Sequence, residues 1–276
     1  EIISQAEACL NRNKTIGLVP TMGALHEGHA ALVRRAIAEN DVCVVSVFVN
    51  PTQFNNPEDL QKYPRTLEKD VELLSELGVH YVFAPTAEEM YEPEEMKTAF
   101  SFDFNGLDQV MEGKMRPGHF NGVVQVVSRL FDLVKPTRAY FGEKDFQQLA
   151  IIRHMVTTSS LAQQYTNLQI IGCPIVREDS GLALSSRNQR LSETEKQTAV
   201  AISQTLFTSL KWAETDTVAN VQQRVIDTIN AINGLEVEYY EIVDRTTLQP
   251  TDTFQNAIGC ITVYCGPVRL IDNIQY

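Results

Sequence analysis

The chain has 276 residues, a length that suits one large domain or two ordinary ones. Its 23 basic and 35 acidic side chains give a formal net charge of −12, which argues against a dedicated nucleic-acid-binding protein with a basic face. No apolar run approaches the roughly 20 residues that span a bilayer, the first residues lack a secretory pattern, and the five cysteines form no Cys-x-x-Cys pair. We therefore expect a cytoplasmic protein with reduced thiols and without a membrane or nucleic-acid partner.

Up to about residue 174, short apolar segments alternate with amphipathic ones, which is typical of a parallel sheet covered by helices. The segment 42–49 is nearly all apolar and β-branched, as expected of a strand that is buried on both faces. The predicted strands cover residues 15–20, 42–49, 79–84, 98–104, 139–141 and 168–173, and the predicted helices cover residues 29–39, 67–77, 123–134 and 146–156. Residues 105–120 lack a periodic pattern and are predicted to be a functional lid, with Gly113 and Gly118 as candidate hinges.

Beyond Pro174 the pattern changes to two long helices followed by hairpin-like strands. The predicted helices cover residues 193–212 and 218–232, and the predicted strands cover residues 237–243, 260–265 and 268–271. We predict an α/β protein in which a Rossmann-like parallel sheet domain over residues 1–174 is followed by a smaller α+β domain over residues 175–276.

The densest cluster of chemically active residues is Pro20-Thr-Met-Gly-Ala-Leu-His26-Glu-Gly-His29, at the predicted exit of the first strand. Ligands of open α/β sheets bind at the carboxyl edge of the strands. Glycines at such a junction permit a sharp turn and a close ligand, and a helix N-terminus attracts phosphate. Two imidazoles three residues apart can then donate hydrogen bonds to the same phosphates. The alternative is a surface loop with two solvated histidines.

Two further segments combine a turn with a cation. Lys144 follows the predicted strand 139–141 in Tyr140-Phe-Gly-Glu-Lys-Asp-Phe-Gln-Gln148 and suits a phosphate, although Asp145 could simply cap a helix beside a solvated lysine. Leu184-Ser-Ser-Arg-Asn188 offers two hydroxyls and Arg187 to an anion, and the alternative there is a polar turn that caps the next helix.

A neutral polar pair follows the most apolar strand. Asn50 and Gln53, in Phe48-Val-Asn-Pro-Thr-Gln-Phe54, can hydrogen-bond the hydroxyls or the carboxylate of a ligand, and an ordinary Asn-Pro turn is the alternative.

Together with Tyr63-Pro-Arg-Thr66 and Arg116-Pro-Gly-His-Phe120, these segments resemble, in order and over essentially the whole chain, the pantoate–β-alanine ligase (pantothenate synthetase) family. That family belongs to the nucleotidylyltransferase-like enzymes with a His-x-Gly-His motif. The resemblance implies an ATP-dependent ligase of pantothenate and coenzyme A biosynthesis that forms a pantoyl adenylate and releases AMP and pyrophosphate. It also implies that the first domain binds the nucleotide and pantoate, and that the second closes over the ATP site.

The resemblance further assigns roles to single positions. The implied catalytic residues are His26, His29, Lys144 and Arg187, with His29 as the usual proton donor. The implied ATP-binding residues are Met22, Gly23, Ala24, Leu25, His26, Glu27, Gly28, His29, Gly142, Glu143, Lys144, Asp145, Val176, Leu184, Ser185, Ser186 and Arg187. The implied pantoate and β-alanine residues are Asn50, Gln53, Arg116 and Gln148.

The resemblance also implies that Mg²⁺ bridges the phosphates and that the protein is a homodimer formed through the first domain. Asp70 is a candidate to position Mg²⁺, although the aspartate run of some family members is replaced here by Leu67-Glu-Lys-Asp70. Two alternatives stay open. A nucleotidylyltransferase would need a basic acceptor pocket, whereas Asn50, Gln53 and Gln148 are neutral. A non-catalytic nucleotide sensor would not need the histidines and cations that are present.

Overall fold

Two β-sheets organise the chain, one in each half of the sequence. The structure is a computed structural model that describes residues 2–10, 13–97 and 100–276. The first sheet is parallel and contains β1 (Ile16–Thr21), β2 (Val42–Val47), β3 (Tyr81–Phe83), β4 (Arg138–Gly142) and β5 (Gln169–Cys173). The second sheet is antiparallel and contains β6 (Leu235–Asp244), β7 (Ala257–Cys265) and β8 (Val268–Gln275). The predicted α/β fold with a smaller α+β part is confirmed.

The parallel sheet has the strand order β3-β2-β1-β4-β5. Ile16 of β1 pairs with Val42 of β2 on one side, and Gly17 pairs with Arg138 of β4 on the other. Strands β2 and β3 therefore lie on one side of β1, and the later strands β4 and β5 lie on the other. A ligand crevice is expected outside the carboxyl ends of β1 and β4, where this direction changes.

Helices cover both faces of the parallel sheet. They are α1 (Ile2–Leu10), α2 (Glu27–Glu39), α3 (Pro57–Lys62), α4 (Leu67–Glu76), α5 (Ala87–Met90), α6 (Pro93–Lys97), α7 (Met111–Met115), α8 (His119–Val134) and α9 (Phe146–Thr157). Val44 of β2 packs in the same core cluster as Val124 of α8, whereas its neighbours Cys43 and Val45 pack with Val33 of α2. Strand β2 is thus buried on both faces, as its sequence predicts.

Two long helices, α10 (Glu193–Ala213) and α11 (Val218–Asn230), cover the antiparallel sheet. Helix α10 begins with a capping box in which the Ser192 hydroxyl accepts a hydrogen bond from the Glu195 amide. Helix α11 packs against β6, and its Val225 belongs to the same core cluster as Ile261 of β7. The core of the first half also includes Leu248 and Ile258, so the two halves share buried apolar surface. The division near residue 174 stays a prediction.

The segment 100–120 differs from its predicted structure. Residues 100–104 form no strand, and Thr98 and Ala99 lie outside the described residues. The Phe104 ring is buried and packs edge-on against Phe102, with 4.9 Å between the ring centroids. The alternating aromatic residues therefore pack on the core without forming a strand. The predicted lid contains helix α7 and the first residues of α8, and is therefore not structureless. Gly113 lies within α7, where a Cβ would collide with the Asp108 carbonyl, so close packing explains this glycine better than a hinge does.

Candidate functional site

Two adjoining cavities open at the carboxyl ends of β1 and β4. The smaller has a volume of about 220 Å³ and the larger about 420 Å³. Lys144, Asp145, Gln148, Ser185 and Arg187 line both of them. The site predicted from the strand exits therefore lies where the sheet topology places a ligand.

Most of the residues predicted to bind substrates line the smaller cavity. They are Met22, His26, Gly28, His29, Asn50, Gln53, Gly142, Lys144, Asp145, Gln148, Val176, Leu184, Ser185, Ser186 and Arg187. Apolar side chains such as Phe48, Val127 and Phe141 complete the wall. An apolar pocket with a few convergent polar groups is the usual form of a small-molecule site.

The remaining predicted residues lie beside this cavity. Arg116 lines the larger cavity instead. Gly23, Ala24 and Leu25 form the turn beneath the site, where Gly23 and Ala24 are buried. Glu27 is exposed and forms an ion pair with Arg34, and Glu143 has its carboxylate near Gly172 on β5. The structure thus brings most, but not all, of the predicted set together.

The turn between β1 and α2 is held from below by Asp70. Gly23 and Ala24 both have positive φ angles, 79° and 50°, and the second is unusual for a residue with a Cβ. One Asp70 carboxylate oxygen accepts the Ala24 amide at 3.0 Å, and the other accepts the Leu25 amide at 2.8 Å. The Thr66 hydroxyl donates a third hydrogen bond at 3.2 Å. Asp70 is 3 % exposed, so its carboxylate stabilises a strained turn rather than facing a ligand.

His26 and His29 are arranged so that the same ring atom faces the protein. The Nδ1 atom of His26 accepts the Gly28 amide at 3.1 Å, and Nδ1 of His29 accepts the His26 amide at 3.3 Å. Because both Nδ1 atoms are acceptors, each neutral ring carries its proton on Nε2. The ring centroids are 4.1 Å apart. The pair can therefore offer two N–H donors to one ligand.

Both rings are neutral at physiological pH. Burial lowers the pKa of His26 from 6.5 to about 4, with a further contribution from the positive charge of Lys144. Burial, the neighbouring His26 and Lys144 lower the pKa of His29 to about 3. Neutral imidazoles donate hydrogen bonds without adding positive charge, so the fixed cations that line the smaller cavity are Lys144 and Arg187.

Lys144 is carried by a 3₁₀ turn, Glu143–Asp145, that connects β4 to α9. Its ammonium forms no ion pair with another described residue, so its charge is available to a ligand. The Asn273 side chain, on β8, donates hydrogen bonds to the carbonyls of Glu143 at 2.8 Å and Lys144 at 3.0 Å. The second half of the chain therefore fixes the backbone of this turn.

Gln53 ends a 3₁₀ turn, Pro51–Gln53, that follows β2, and Asn50 caps the start of this turn. The Asn50 side-chain amide donates to the Gln53 side-chain carbonyl at 3.0 Å and to the Gly122 carbonyl at 3.1 Å. The Tyr91 hydroxyl donates to the side-chain oxygen of Asn50 at 2.9 Å. Asn50 is 1 % exposed, so it orients Gln53 and has little surface left for a substrate.

The adjacent glutamines of α9 have different environments. Gln147 is buried and donates hydrogen bonds to the carbonyls of Leu107 at 2.7 Å and Val110 at 2.9 Å, which anchors the segment before α7. Gln148 lines both cavities and forms no side-chain hydrogen bond with another described residue. Its amide is therefore free to bind a ligand.

The segment Leu184–Arg187 crosses from the second half of the chain to the first. The buried Ser186 hydroxyl donates to the Ala24 carbonyl at 3.0 Å, and Ser185 caps a 3₁₀ turn, Ser186–Arg190, by accepting the Arg187 amide. The Arg187 guanidinium forms a 2.9 Å ion pair with Asp59 on α3. Arg190 contacts the other oxygen of Asp59 at 3.2 Å. Asp59 thus partly neutralises the predicted anion-binding arginine.

A second charged cluster lies at the larger cavity. Arg269 of β8 and Arg116 both contact Glu112 of α7, at 2.7 Å and 3.6 Å, and Tyr239 donates to the same carboxylate at 2.8 Å. Burial alone would raise the pKa of Glu112, but the hydrogen bonds and charge of Arg269 outweigh it and lower the pKa to about 2. This cluster connects the predicted lid to the antiparallel sheet.

Sequence reasoning missed the residues that support the site. Asp59, Glu112 and Asn273 carry no local motif, and the quoted segments that contain His119 and Asp70 did not indicate their supporting contacts. Each acts on residues that are distant in sequence, such as Asn273 on Glu143, 130 positions away.

Two features that would indicate a metal or a membrane partner are absent from the described residues. The described residues contain no group of three or more histidine, cysteine, aspartate or glutamate side chains that could hold a metal ion. No helix in the described ranges combines the length and apolar character needed to cross a bilayer.

Comparison with known proteins agrees with the geometry. A sequence model of the family described as Pantoate-beta-alanine ligase matches residues 1–275. A pantothenate synthetase of Phocaeicola vulgatus is 60% identical over 280 residues, which cover 100% of this chain and 96% of that protein. A pantothenate synthetase of Bacteroides fragilis is 60% identical over 269 residues, which cover 96% of this chain and 92% of that protein.

Solved structures of related enzymes superpose closely. The pantothenate synthetase of Thermus thermophilus has a TM-score of 0.89 and 43% identity, and the match covers 99% of this chain and 97% of that one. The pantoate-beta-alanine ligase of Francisella tularensis, solved in complex with beta-gamma ATP and beta-alanine, has a TM-score of 0.81 and 36% identity, with coverage of 99% and 95%.

Proposed function

Because the chain belongs to the pantoate–β-alanine ligase family, we propose that its smaller cavity holds pantoate and the nucleotide while its larger cavity admits β-alanine. The two cavities share Lys144, Gln148 and Arg187, so an acyl group activated in one can be reached from the other.

The enzyme condenses pantoate with β-alanine and uses ATP to activate the acid. A pantoate carboxylate oxygen attacks the α-phosphorus of ATP, pyrophosphate leaves, and pantoyl adenylate forms. The β-alanine amine then attacks the acyl carbon, AMP leaves, and the new amide bond completes pantothenate. Adenylation is needed because a free carboxylate has no usable leaving group. The protein contributes mainly position and charge stabilisation.

The observation that carries our assignment is the pair of Nε2–H groups on His26 and His29 beside the ammonium of Lys144, which forms no ion pair within the described part of the chain. We infer that these donors bind the phosphates as negative charge builds up on the departing pyrophosphate. Both rings are neutral, so they act first as hydrogen-bond donors. The role of His29 as proton donor then requires that the bound triphosphate raise its pKa.

We assign pantoate to the wall formed by Gln53 and Gln148. Their amides can hydrogen-bond the hydroxyls and carboxylate, and the apolar residues Val127 and Phe141 suit the carbon skeleton of a branched hydroxy acid. Asn50 fixes the Gln53 side chain. Arg116, which lines the larger cavity, is assigned to the carboxylate of β-alanine.

Gly142 to Asp145 and Val176 are assigned to the adenosine, and Ser185 to Arg187 to the phosphates. The Arg187–Asp59 ion pair is partly exposed, so its free energy is modest and a phosphate can replace Asp59 as the partner of Arg187. Exchange of the carboxylate for the phosphate would then couple nucleotide binding to a movement of α3.

Mg²⁺ is proposed to accompany ATP and to be bound by phosphate oxygens. The described protein residues do not fit a metal site of their own, since no cluster of ligands is present and the carboxylate of Asp70 already accepts three hydrogen bonds. We therefore assign Asp70 to the support of the turn.

The roles of the two halves of the chain, the oligomeric state and the location are also proposed from membership of the family. We propose that residues 1–174 bind the nucleotide and pantoate, that residues 175–276 close over the ATP site, and that two copies associate through the first part. A cytoplasmic location fits a biosynthetic enzyme whose five cysteines are all free.

The test is to detect AMP and pyrophosphate while each substrate is omitted in turn. We expect pyrophosphate with ATP and pantoate together, and AMP and pantothenate only after β-alanine is added. AMP formation that does not depend on pantoate would refute the ligase assignment. A nucleotidylyltransferase would instead release pyrophosphate while it joins AMP to a phosphorylated acceptor, a group that the neutral amides of Gln53 and Gln148 do not suit.

A further inference from the structure

The buried imidazole of His119 is not needed for the proposed chemistry, yet it lies between two residues assigned to substrates. It is the first residue of α8 and is 7 % exposed. Its Nδ1 lies 2.7 Å from the backbone carbonyl oxygen of Gln53, and its Nε2 lies 3.3 Å from an Arg116 guanidinium nitrogen. One ring therefore contacts both the turn at the smaller cavity and the cation of the larger one.

The two partners of His119 determine where its proton lies. A carbonyl oxygen only accepts hydrogen bonds, so Nδ1 must carry the proton. A guanidinium only donates, so Nε2 must be unprotonated. This tautomer is the opposite of the one that His26 and His29 adopt. Burial and the charge of Arg116 lower the pKa of His119 to about 3, which keeps the ring neutral.

The contact with Gln53 belongs to a close junction between α8 and the turn at Pro51–Gln53. A Cβ on Gly122 would lie 2.5 Å from the Thr52 carbonyl, so only glycine permits this approach. The Asn50 amide bonds the Gly122 carbonyl from the other side. His119 completes the junction through its hydrogen bond to the Gln53 carbonyl oxygen.

We propose that His119 is a positioning residue that holds the Gln53 backbone through Nδ1–H and the Arg116 guanidinium through Nε2. A single rigid ring thereby fixes the amide that contacts pantoate relative to the cation that contacts β-alanine. The proposal rests on the assignment of Gln53 to pantoate and of Arg116 to β-alanine.

Two substitutions separate the two contacts. In His119→Asn, the side-chain amide can replace Nδ1–H but does not reach Arg116. In His119→Gln, the side-chain carbonyl can replace Nε2, but the donor to Gln53 is lost. We expect His119→Gln to raise the KM for pantoate about 10-fold and His119→Asn to leave it within about 2-fold. The KM for β-alanine should follow the reverse order, and the KM for ATP should stay within about 2-fold in both.

Gln53→Ala serves as the reference for the assignment. If Gln53→Ala raises the KM for pantoate but the two His119 variants change it equally, the positioning role is wrong and the assignment of Gln53 stands. If Gln53→Ala leaves that KM unchanged, the assignment of Gln53 fails and the positioning role fails with it. Should His119→Gln not fold, His119→Asn decides alone, because a rise in the KM for pantoate as large as that of Gln53→Ala contradicts the proposal.

Discussion

Histidines occupy two regions of the site, the junction of β1 with α2 and the start of α8, and they differ in which nitrogen holds the proton. At the first junction, backbone amides bind Nδ1 of His26 and His29 and leave the Nε2–H groups for a ligand. At the start of α8, a carbonyl and a guanidinium use both nitrogens of His119.

The difference separates residues that bind a ligand from residues that hold the site in place. An imidazole with an unused donor at a cavity wall can contact substrate, whereas an imidazole whose two nitrogens both have protein partners contributes rigidity. The same distinction applies to Gln148 and Gln147, and to Lys144 and Asn273. The residue type alone does not show which role a side chain has, because histidines and glutamines occur among both the ligand-facing and the supporting residues.

The largest expected effect comes from removing a ligand-facing ring. His29→Ala should lower kcat by on the order of 10²-fold or more, because a donor to the developing phosphate charge is lost in a water-poor site. The measurement is steady-state pantothenate formation, with circular dichroism as a control for folding. An unchanged turnover would mean that His29 belongs with the supporting residues.

Substitution of a supporting residue should lower kcat less than His29→Ala does, without changing the Mg²⁺ requirement. Asp70→Asn replaces an acceptor oxygen with a donor facing a backbone amide, so the turn at Gly23–Leu25 loses a hydrogen bond and kcat should fall about 10-fold. The Mg²⁺ concentration that gives half the maximal rate should not change.

The exposed Glu68 on the same helix provides a matched control, since Glu68→Gln should leave the rate unaltered. A large increase in the Mg²⁺ requirement of Asp70→Asn would restore the predicted metal role of Asp70.

The smallest expected effect is the response of the ligand-free protein to pH. The folded pKa values of His26 and His29, about 4 and 3, lie below the ordinary value of 6.5. The unfolded chain therefore binds more protons between these values, and the free energy of unfolding should decrease as the pH falls from 6.5 toward 4. Urea denaturation measures this decrease, which should be smaller in His29→Ala.

Nitrogen NMR of the imidazole rings tests the comparison directly. It should report Nε2–H tautomers for His26 and His29, an Nδ1–H tautomer for His119, and no titration of the three rings between pH 6 and 8. Titration of any of these rings within that interval would contradict the assigned environment.

Local sequence patterns predicted the fold class, and together with the family resemblance they indicated many of the residues that line the smaller cavity. Apolar runs such as residues 42–49 mark the buried strands, and glycine-containing segments at strand exits mark the binding loops. The strand expected at residues 98–104 was wrong over its described part, 100–104, because alternating aromatic residues can pack on a core without a strand partner. The supporting contacts were missed because they join residues 46, 66 and 130 positions apart, in the pairs Asp70–Ala24, His119–Gln53 and Asn273–Glu143.

The buried residues Leu248 and Ile258 pack in the core of the first half, although they belong to the second half of the sequence. Cutting the gene after residue 174 would leave this apolar surface open to water and would also remove Asn273 from the turn that carries Lys144. An excised amino-terminal fragment is thus a poor starting point for a minimal ATP-binding module. Engineering of such a module should retain the strands that follow.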